Sequence, residues 1–532
     1  MSRIVFDNSP APTEVNLGRA DVACFVGLVR VLFGATLPAN AVAWLRSLGY
    51  PSTAIAGLRH VPVLVETYAA FASVFDDGRA GNAFGTDYLA TAVRNFFAQG
   101  GRRCYVVSTG DPVSNSDTPL TKTAKLKSIL PNPAFSFGDA STWTGVHGLT
   151  GLEDVSFLLT PDLPILCASD QHIAKGQTPQ AASGPEQFVT CGPADITPQP
   201  YRVFKNPAPR LQASDYTTWA ASISAVVNYL ALGPATHQLQ LREIQFVAAF
   251  PIPQHMSSAA AQENPSGQEA GQNAHAVMSA LLPETVTDMD TASPTNISSA
   301  FLQLSYPWLK TSHSDVLLEG LEPPDGALAG LLARNALTRG TFLSATKVAP
   351  AEVYDVSPVL PDREMRSLAE PLRWGLASGQ IKPLITRLSL FGMTPSGIRL
   401  LSDVTAYPGE TFRSAPVSRL VSVIARAARN MGQSMTFQNN GPELWGRVQR
   451  VMRNLLTRMW RLNALAGSSA SEAFQVRCDR TTMTQNDLDN GRAICEVSFT
   501  AAANIEVITV KLAMEASGTS VQDVTASLAE VS

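Results

Sequence analysis

Hydrophobic residues in the first half of the chain form short continuous runs separated by segments of helical periodicity. The runs lie at residues 23–28, 104–107, 154–159 and 244–250. Residues 86–99 and 219–232 instead repeat their apolar positions every three or four residues. Continuous runs are typical of strands buried on both faces of a parallel sheet, and the helical segments predict the connections between them. The pattern therefore predicts an α/β sheet domain.

The pattern changes in the last quarter of the chain. Helical periodicity covers residues 417–430 and 443–465, and the segments after them predict strands at 474–478, 493–499 and 505–514. The residues after 515 are small and polar, so we expect a flexible tail. The sequence therefore predicts several domains that mix helices and strands, which is the α/β (α+β) class. Residues 254–300 between the two regions are rich in Ala, Gln, Ser and Asn and predict an exposed loop with one helix near 274–282.

The second C-terminal helix has an apolar face and a cationic face. At 100° per residue, one side of it carries six apolar residues, Leu444, Val448, Val451, Leu455, Met459 and Leu462. Four arginines fall on a neighbouring arc, namely Arg447, Arg450, Arg458 and Arg461. We expect the apolar side to pack against a core and the arginine side to remain accessible.

Positive charge is concentrated in this region. Residues 411–465 contain nine arginines, no lysine and one acid, Glu443, which gives a formal charge of +8 in a chain whose net charge is −4. An ordinary solvated surface mixes both signs of charge, so this segregation indicates a face for a partner of opposite sign. A solvated surface in which arginine replaces lysine is the alternative.

Composition limits the possible classes of protein. The 532 residues are 45% hydrophobic and 16% charged, which predicts a folded chain of several domains with surface buried by other subunits. A pI near 6 argues against general nucleic-acid binding, for which only the arginine helices would be available. No apolar run approaches the ~20 residues that span a bilayer, and the first residues lack the apolar core of a signal peptide. We therefore expect synthesis in the cytoplasm, without export by a standard signal, and no direct membrane insertion.

The residue types of common active sites occur in the chain, but not at the spacing that those sites require. The seven histidines are isolated, and no G-x-S-x-G or G-x-x-x-x-G-K-[ST] sequence occurs. The cysteines, at positions 24, 104, 167, 191, 478 and 495, include no C-x-x-C pair and predict reduced core residues. The sequence therefore predicts no enzyme, no cofactor and no metal.

Several short motifs occur in a fixed order along the chain. The N-terminal ones are Phe25-Val26-Gly27, then Phe71, Phe75, Tyr88-Leu89, Ala92-Val93, Phe96-Phe97, Gly100-Gly101 and Cys104-Tyr105-Val106-Val107. The central ones are Gly148-Leu149, Leu152, Pro161-Asp162, Tyr306-Pro307-Trp308, Pro323-Pro324, Gly326, Ala329-Gly330, Ala333-Arg334 and Arg339-Gly340. The C-terminal ones are Ser418-Arg419-Leu420, Phe437-Gln438-Asn439-Asn440, Leu444-Trp445, Leu455-Leu456, Met459-Trp460, Ala464-Leu465-Ala466-Gly467, Glu472-Ala473-Phe474, Val476, Cys478-Asp479 and Gly491-Arg492.

In these motifs the chain resembles the contractile tail sheath proteins of myophages, R-type pyocins and phage-like contractile injection systems. It departs from their pattern by an extra segment at residues 28–61 and near residues 395–405, and the loop at 254–300 has no counterpart we can assign. The resemblance implies a tail-sheath fold with four parts. These are an N-terminal arm (1–21), an outer α/β domain (22–400), an inner domain facing a tube (401–504), and a C-terminal strand arm with a flexible tail (505–532).

The resemblance also implies a function and partners. Such a subunit polymerises as a helical homo-oligomer around an inner tube, contracts to drive the tube through a target envelope, and contacts baseplate and tail terminator or cap proteins. The particle is a phage tail or an injection device that can be released from the cell. The alternatives are a sheath paralogue or cap-proximal subunit of the same machine and, in another class, a nucleic-acid-binding protein that uses the arginine helices.

Two sets of residues are candidates for these contacts. Strand exchange between subunits is expected for both termini, at Ile4, Val5, Phe6, Ile505, Val507, Ile508, Val510 and Leu512. The alternative is that both termini pair within their own domain. Attachment to the tube is expected for Arg447, Arg450, Arg458 and Arg461, together with Arg419 and Arg426.

Overall fold

The computed structural model divides the chain into two compact units. The larger consists of Ala20–Leu232 and Ile244–Ala415, and the smaller includes Gly233–Glu243 and Pro416–Ser532. The residues that the structure describes are 19–76, 85–169, 205–237, 243–254, 274–283, 291–360, 365–366, 383–435, 439–502, 506–515 and 518–528. The candidate residues Ile4, Val5, Phe6 and Ile505 lie outside this part of the chain.

The larger unit is built on an eight-stranded sheet. Its strands β1 to β12 span Val22–Leu28, Pro62–Val65, Cys104–Gly110, Val155–Leu159, Arg210–Leu211, Gln245–Ala249, Ile252–Pro253, Leu302–Tyr306, Trp308–Thr311, Val353–Ser357, Ser389–Thr394 and Gly397–Leu400. The order in the large sheet is β12-β11-β8-β6-β4-β1-β3-β2, and β5–β7 and β9–β10 form two small sheets. Within the large sheet the pairs from β3 to β11 are parallel, whereas β2 and β12 pair antiparallel at the two edges.

The helices of this unit cover the parallel strands. Helices α1 to α10 span Ala39–Ser47, Ser52–Gly57, Tyr68–Val74, Tyr88–Ala98, Pro119–Ile129, Leu163–Cys167, Ala213–His237, Ala274–Leu281, Asp325–Thr338 and Glu410–Arg413. Strands β1, β4 and β6 are buried along their whole length, as their continuous apolar runs predict. The prediction of an α/β domain with these strands, and with helices near 86–99, 219–232 and 274–282, is confirmed.

Helices α4 and α9 pack closely over one face of the sheet. Their side chains share a core with β1 and β3 that includes Phe25, Leu89, Phe96, Val106 and Leu328. A Cβ at Gly326 would overlap the main chain at Ala92, so only glycine permits this approach of the two helices. The glycine in the Pro323-Pro324-Asp325-Gly326 motif is therefore explained by packing.

The extra segment at residues 28–61 folds as an addition beside the sheet. Helices α1 and α2 bury Leu45, Tyr50 and Ile55 against Trp143 in a small apolar cluster. Tyr50 and Trp143 meet edge to face, with ring centroids 5.5 Å apart. The segment thus has its own satellite core, and its helices lie outside the strand order of the main sheet.

Asp162 is a buried carboxyl at the carboxyl end of β1. Its Oδ2 accepts a hydrogen bond from the Leu28 amide at 2.7 Å, and the amides of Tyr88 and Leu89 at the start of α4 also donate to it. A Cβ at Gly27 would overlap this carboxyl, which links the Phe25-Val26-Gly27 and Pro161-Asp162 motifs physically. Burial raises the pKa of Asp162 to about 7, and burial together with the nearby Asp162 raises the pKa of Asp325 to about 7.

These raised pKa values predict a pH-dependent stability. The folded chain holds a proton on Asp162 up to about pH 7, whereas the unfolded chain releases it near its ordinary pKa of 3.8, so the contribution of Asp162 to stability falls as pH rises between these values. Asp162→Asn replaces the carboxyl by an amide that is neutral at every pH, so the variant does not lose this stability as pH rises. We expect the free energy of unfolding of the variant, relative to wild type, to rise by roughly 2 kcal/mol from pH 5 to pH 8. Urea unfolding at four pH values measures it.

The control for this experiment is Asp139→Asn. Hydrogen bonds from Ser141 lower the pKa of the exposed Asp139, so both its folded and unfolded values lie below pH 5. The difference between this variant and wild type is expected to stay constant from pH 5 to pH 8. An equally constant difference for Asp162→Asn would show that Asp162 is ionised in the folded chain.

The smaller unit combines two long helices with an antiparallel sheet. Helices α11 to α14 span Ala415–Met435, Pro442–Arg461, Ala470–Ala473 and Gln485–Asp489, and strands β13 to β16 span Phe474–Arg477, Ala493–Thr500, Glu506–Glu515 and Gly518–Leu528. The strands pair in chain order, each antiparallel to the next. The predicted C-terminal helices and strands are confirmed. The tail expected to be flexible instead contains β16, whose alternating β-branched residues suit a strand.

The boundary between the units also differs from the expected one. It falls after Ala415, whereas the sequence placed the start of the inner domain at residue 401. The intervening residues are tied to the large sheet, since the Ala406 amide donates to the Leu302 carbonyl at 2.8 Å and Asp403 accepts from Gln303 at 2.9 Å. Hydrogen bonds of this kind cannot be read from a local pattern.

Candidate functional site

Helix α12 carries the arginine face. It begins at Pro442, a residue suited to the first turn, and it ends where Asn463 adopts a positive φ of 57°. At its start the Trp445 indole donates to the Asn440 amide oxygen at 2.7 Å, and in its middle the Gln449 amide donates to the Val476 carbonyl at 2.9 Å. The first bond ties the helix to the loop before it, and the second ties it to β13 of its own unit.

The buried side of α12 is rotated from the predicted one. The core side chains are Trp445, Val448, Met452, Leu455, Leu456 and Met459. The predicted face used Leu444, Val451 and Leu462, but the first two are only half-buried and Leu462 is 53% exposed. At 100° per residue the two faces differ by roughly 50°. The prediction was wrong in this detail because the sheet, rather than the mean apolar direction, selects the buried side.

The exposed side of α12 is lined by five arginines. Arg447, Arg450, Arg453, Arg458 and Arg461 are all exposed, and they extend over about 21 Å at 1.5 Å per residue. Within the described part of the chain, no carboxylate forms an ion pair with Arg450, Arg453, Arg458 or Arg461. We call these five residues the arginine face. It is an extended cationic surface directed away from the core.

Arg419 and Arg426, which the sequence grouped with this face, are buried. Helix α11 is buried along most of its length, and Arg419, Arg426 and Arg429 are each at most 4% exposed. The guanidinium of Arg426 lies 3.1 Å from Glu243, and that of Arg429 lies 2.9 Å from the same carboxylate. The placement of Arg419 and Arg426 on an accessible face is therefore wrong, because both side chains are buried.

Glu243 is a residue that the sequence interpretation missed. It is 4% exposed and accepts from Arg426 Nε and from Arg429 Nε and Nη2 at 2.9 to 3.1 Å. It precedes Arg426 by 183 residues and belongs to a short segment that joins the smaller unit. An isolated glutamate before an apolar strand gives no local signal of such a contact.

The C-terminal candidates for strand exchange lie on β15. This strand includes Val507, Ile508, Val510 and Leu512 and pairs on one side with β14 and on the other with β16 of the same chain. Among the described residues, β16 is the edge of this sheet, with eleven residues that have no further strand beside them. A long edge of this kind offers main-chain hydrogen bonds to an added strand.

The comparisons with known proteins rest on the fold. No family model matches the chain, and no curated protein matches it. Among solved structures, a chain of the anti-feeding prophage helical sheath in its contracted state shares 17% identity, with a TM-score of 0.52 over 94% of this chain and 95% of that one. A chain of the anti-feeding prophage baseplate shares 18% identity, with the same TM-score over 94% of each chain. The chain has the fold of a contractile sheath subunit.

The sheath fold accounts for both units of the chain, since the likeness spans 94% of its length. A third structure, of the contracted anti-feeding prophage baseplate, matches at 15% identity with a TM-score of 0.51 over 94% of each chain. The fold that the resemblance implied is thus confirmed. The arginine face and the β16 edge both lie in the smaller unit.

Metal-binding groups and membrane-spanning helices are two other kinds of functional feature. In the ranges that the structure describes, no group of three or more His, Cys, Asp or Glu residues is arranged to hold a metal ion. In the same ranges, no helix has the length and apolar character needed to cross a membrane.

Proposed function

We propose that this protein is the structural subunit of a contractile sheath. Many copies would polymerise helically around an inner tube and contract to drive the tube through a target envelope. The observation that carries the proposal is the fold likeness to a sheath in its contracted state, which covers 94% of this chain and 95% of that one. The role is structural, and the subunit would be made in the bacterial cytoplasm and built into a phage tail or injection particle.

The arginine face is the surface we assign to the inner tube. Its five guanidinium groups are exposed on one side of a rigid helix, and they would meet carboxylates of the tube. Exposed ion pairs are individually weak, on the order of 0–1 kcal/mol, and salt screens them. Many weak pairs repeated along a helical polymer would hold the extended sheath and still allow it to release on contraction.

Strand addition is the contact we assign to neighbouring subunits. The C-terminal sheet ends in a long edge strand, β16, and β15 beside it carries the alternating apolar residues of the candidate set. Main-chain hydrogen bonds to a strand of the next copy would join subunits independently of side chains, and such heterologous contacts generate an open helix. Baseplate and terminator or cap proteins would bind at the ends of that helix.

Electron microscopy of the protein expressed alone tests the proposal. We expect long hollow helical tubes, in the contracted form, because no inner tube holds the subunits in the extended arrangement. If only dispersed monomers form, the protein is co-expressed with the tube protein of the same machine. Monomers that stay dispersed in both experiments and bind DNA with steep salt dependence would contradict the sheath proposal and favour a nucleic-acid-binding protein.

A further inference from the structure

Two cysteines of the smaller unit lie opposite each other on neighbouring strands. β13 and β14 are antiparallel and pair Val476 with Val497 and Arg477 with Glu496. The next pair in this register is Cys478 and Cys495, at the point where β13 ends. Both side chains are buried, with Cys478 3% and Cys495 0% exposed.

Both thiols point to the same face of the sheet. Along β13 the residues alternate between buried and exposed, and the buried ones share a face with Cys478. Along β14 the same alternation places Cys495 on the buried face with Val497 and Phe499. Cross-strand neighbours on one face have Cβ atoms about 4.5–5.5 Å apart, which is close to the separation that a disulfide bridges.

We propose that Cys478 and Cys495 form a cross-strand disulfide when the protein meets an oxidising environment. The thiols are free in the structure, as they would be in the reducing cytoplasm. Oxidation by a small-molecule disulfide proceeds by exchange. One cysteine thiolate attacks a sulfur of the oxidant and releases one thiol, and the second cysteine then attacks the mixed disulfide and releases the other. Two protein thiols become one disulfide, and one molecule of oxidant becomes two thiols.

The disulfide would fasten the weakest edge of the C-terminal sheet. β13 has four residues and, among the strands that the structure describes, pairs only with β14, whereas β14 also pairs with β15. The new bond would close the loop from Cys478 to Cys495, which contains α14, and would constrain it in the unfolded chain. It would also hold the strand on which α12 rests, since Gln449 of that helix binds the Val476 carbonyl.

The environment of the thiols makes the reaction slow. The hydrogen bond with Cys478 and burial raise the pKa of Cys495 well above its ordinary value, and the thiolate is the reactive form. Access requires local opening of β13, which is short and lies at an edge. We therefore expect the disulfide to form over hours in the native protein and readily during refolding.

The chain contains its own control pair. Cys24 and Cys104 lie on the adjacent strands β1 and β3, and both are completely buried. The register pairs Cys104 with Ala23 and Cys24 with Tyr105, so the two thiols point to opposite faces of the large sheet. They resemble the proposed pair in burial and in lying on adjacent strands, but they cannot bridge without movement of the backbone.

The test is oxidation of the full-length protein with oxidised glutathione at pH 8. After acid quenching, alkylation and digestion, mass spectrometry is expected to find one linked peptide pair joining Cys478 to Cys495, with a loss of about 2 Da. Cys24 and Cys104 are expected to remain alkylated. The same measurement is made after refolding from denaturant in a glutathione buffer, so that slow access in the native state does not decide the outcome.

Variants separate a specific disulfide from general thiol reactivity. In Cys495→Ser we expect a stable glutathione adduct on Cys478 and no linked peptide. In wild type, oxidation is expected to slow hydrogen exchange at β13 by on the order of tenfold, and Cys478→Ser with Cys495→Ser should show no change with oxidant. Alkylation of both cysteines after both oxidation routes would overturn the proposal, as would linkage of Cys478 or Cys495 to any other cysteine. The proposal stands or falls independently of the sheath function.

Discussion

Replacement of Arg450 and Arg458 by glutamate is expected to abolish attachment of the proposed sheath to the proposed inner tube while leaving polymerisation intact. The two residues lie on the exposed side of α12, separated by about 12 Å, and within the described residues neither pairs with a carboxylate. Each reversal removes an attraction on the order of 1 kcal/mol and adds a repulsion of similar size. Because the contact repeats in every subunit, the loss multiplies along the polymer.

Electron microscopy of sheath co-expressed with tube measures this effect. Wild type is expected to give tube-filled particles, and the Arg450→Glu, Arg458→Glu variant is expected to give empty, contracted sheath. The matched control is Arg477→Glu with Arg480→Glu, which makes the same change in charge at two exposed arginines of the same unit outside α12. Tube-filled particles for the α12 variant would show that the arginine face is only solvated.

Replacement of Glu243 by glutamine is expected to destabilise the smaller unit severely. Glu243 is the carboxylate shared by Arg426 and Arg429, and all three side chains are at most 5% exposed. Removing one partner leaves buried charges uncompensated, which costs about 3–5 kcal/mol. We expect hydrogen exchange in α11 to accelerate on the order of 100-fold or more.

The control for this variant is Glu472→Gln in the same unit. Glu472 is exposed, and its carboxylate bonds only to nearby serines in the interactions described for it. This change is expected to leave hydrogen exchange in α11 at the wild-type rate. If Glu243→Gln behaved in the same way, the buried arginines would have to be held by other groups.

The sequence prediction agrees with the structure more closely in the larger unit than in the smaller one. In the larger unit, strands such as β1 and β4 were predicted closely because a strand buried on both faces must be apolar at every position. In the smaller unit, α12 was predicted as a helix, but its buried face was displaced. Helical periodicity defines directions around an axis, whereas Trp445 and Leu456 became core residues because β13 and β14 lie on that side.

The arginine-rich region also shows how far local sequence patterns can predict a site. The sequence located the cluster of nine arginines and the helix that exposes five of them, since composition and periodicity are local properties. It could not separate Arg450, which is exposed, from Arg426, which is buried. That difference depends on Glu243, 183 residues earlier in the chain, whose carboxylate makes burial of two guanidinium groups possible.

The sequence by itself determined the α/β pattern, the order of motifs that resembles tail sheath proteins, and the position of the cationic region. Only the tertiary structure decided which arginines are accessible, where the two units divide, and that Cys478 faces Cys495. The physical reason is that periodicity and composition act over a few residues. Burial and pairing depend on contacts between segments far apart in the chain, and these exist only after the chain has folded.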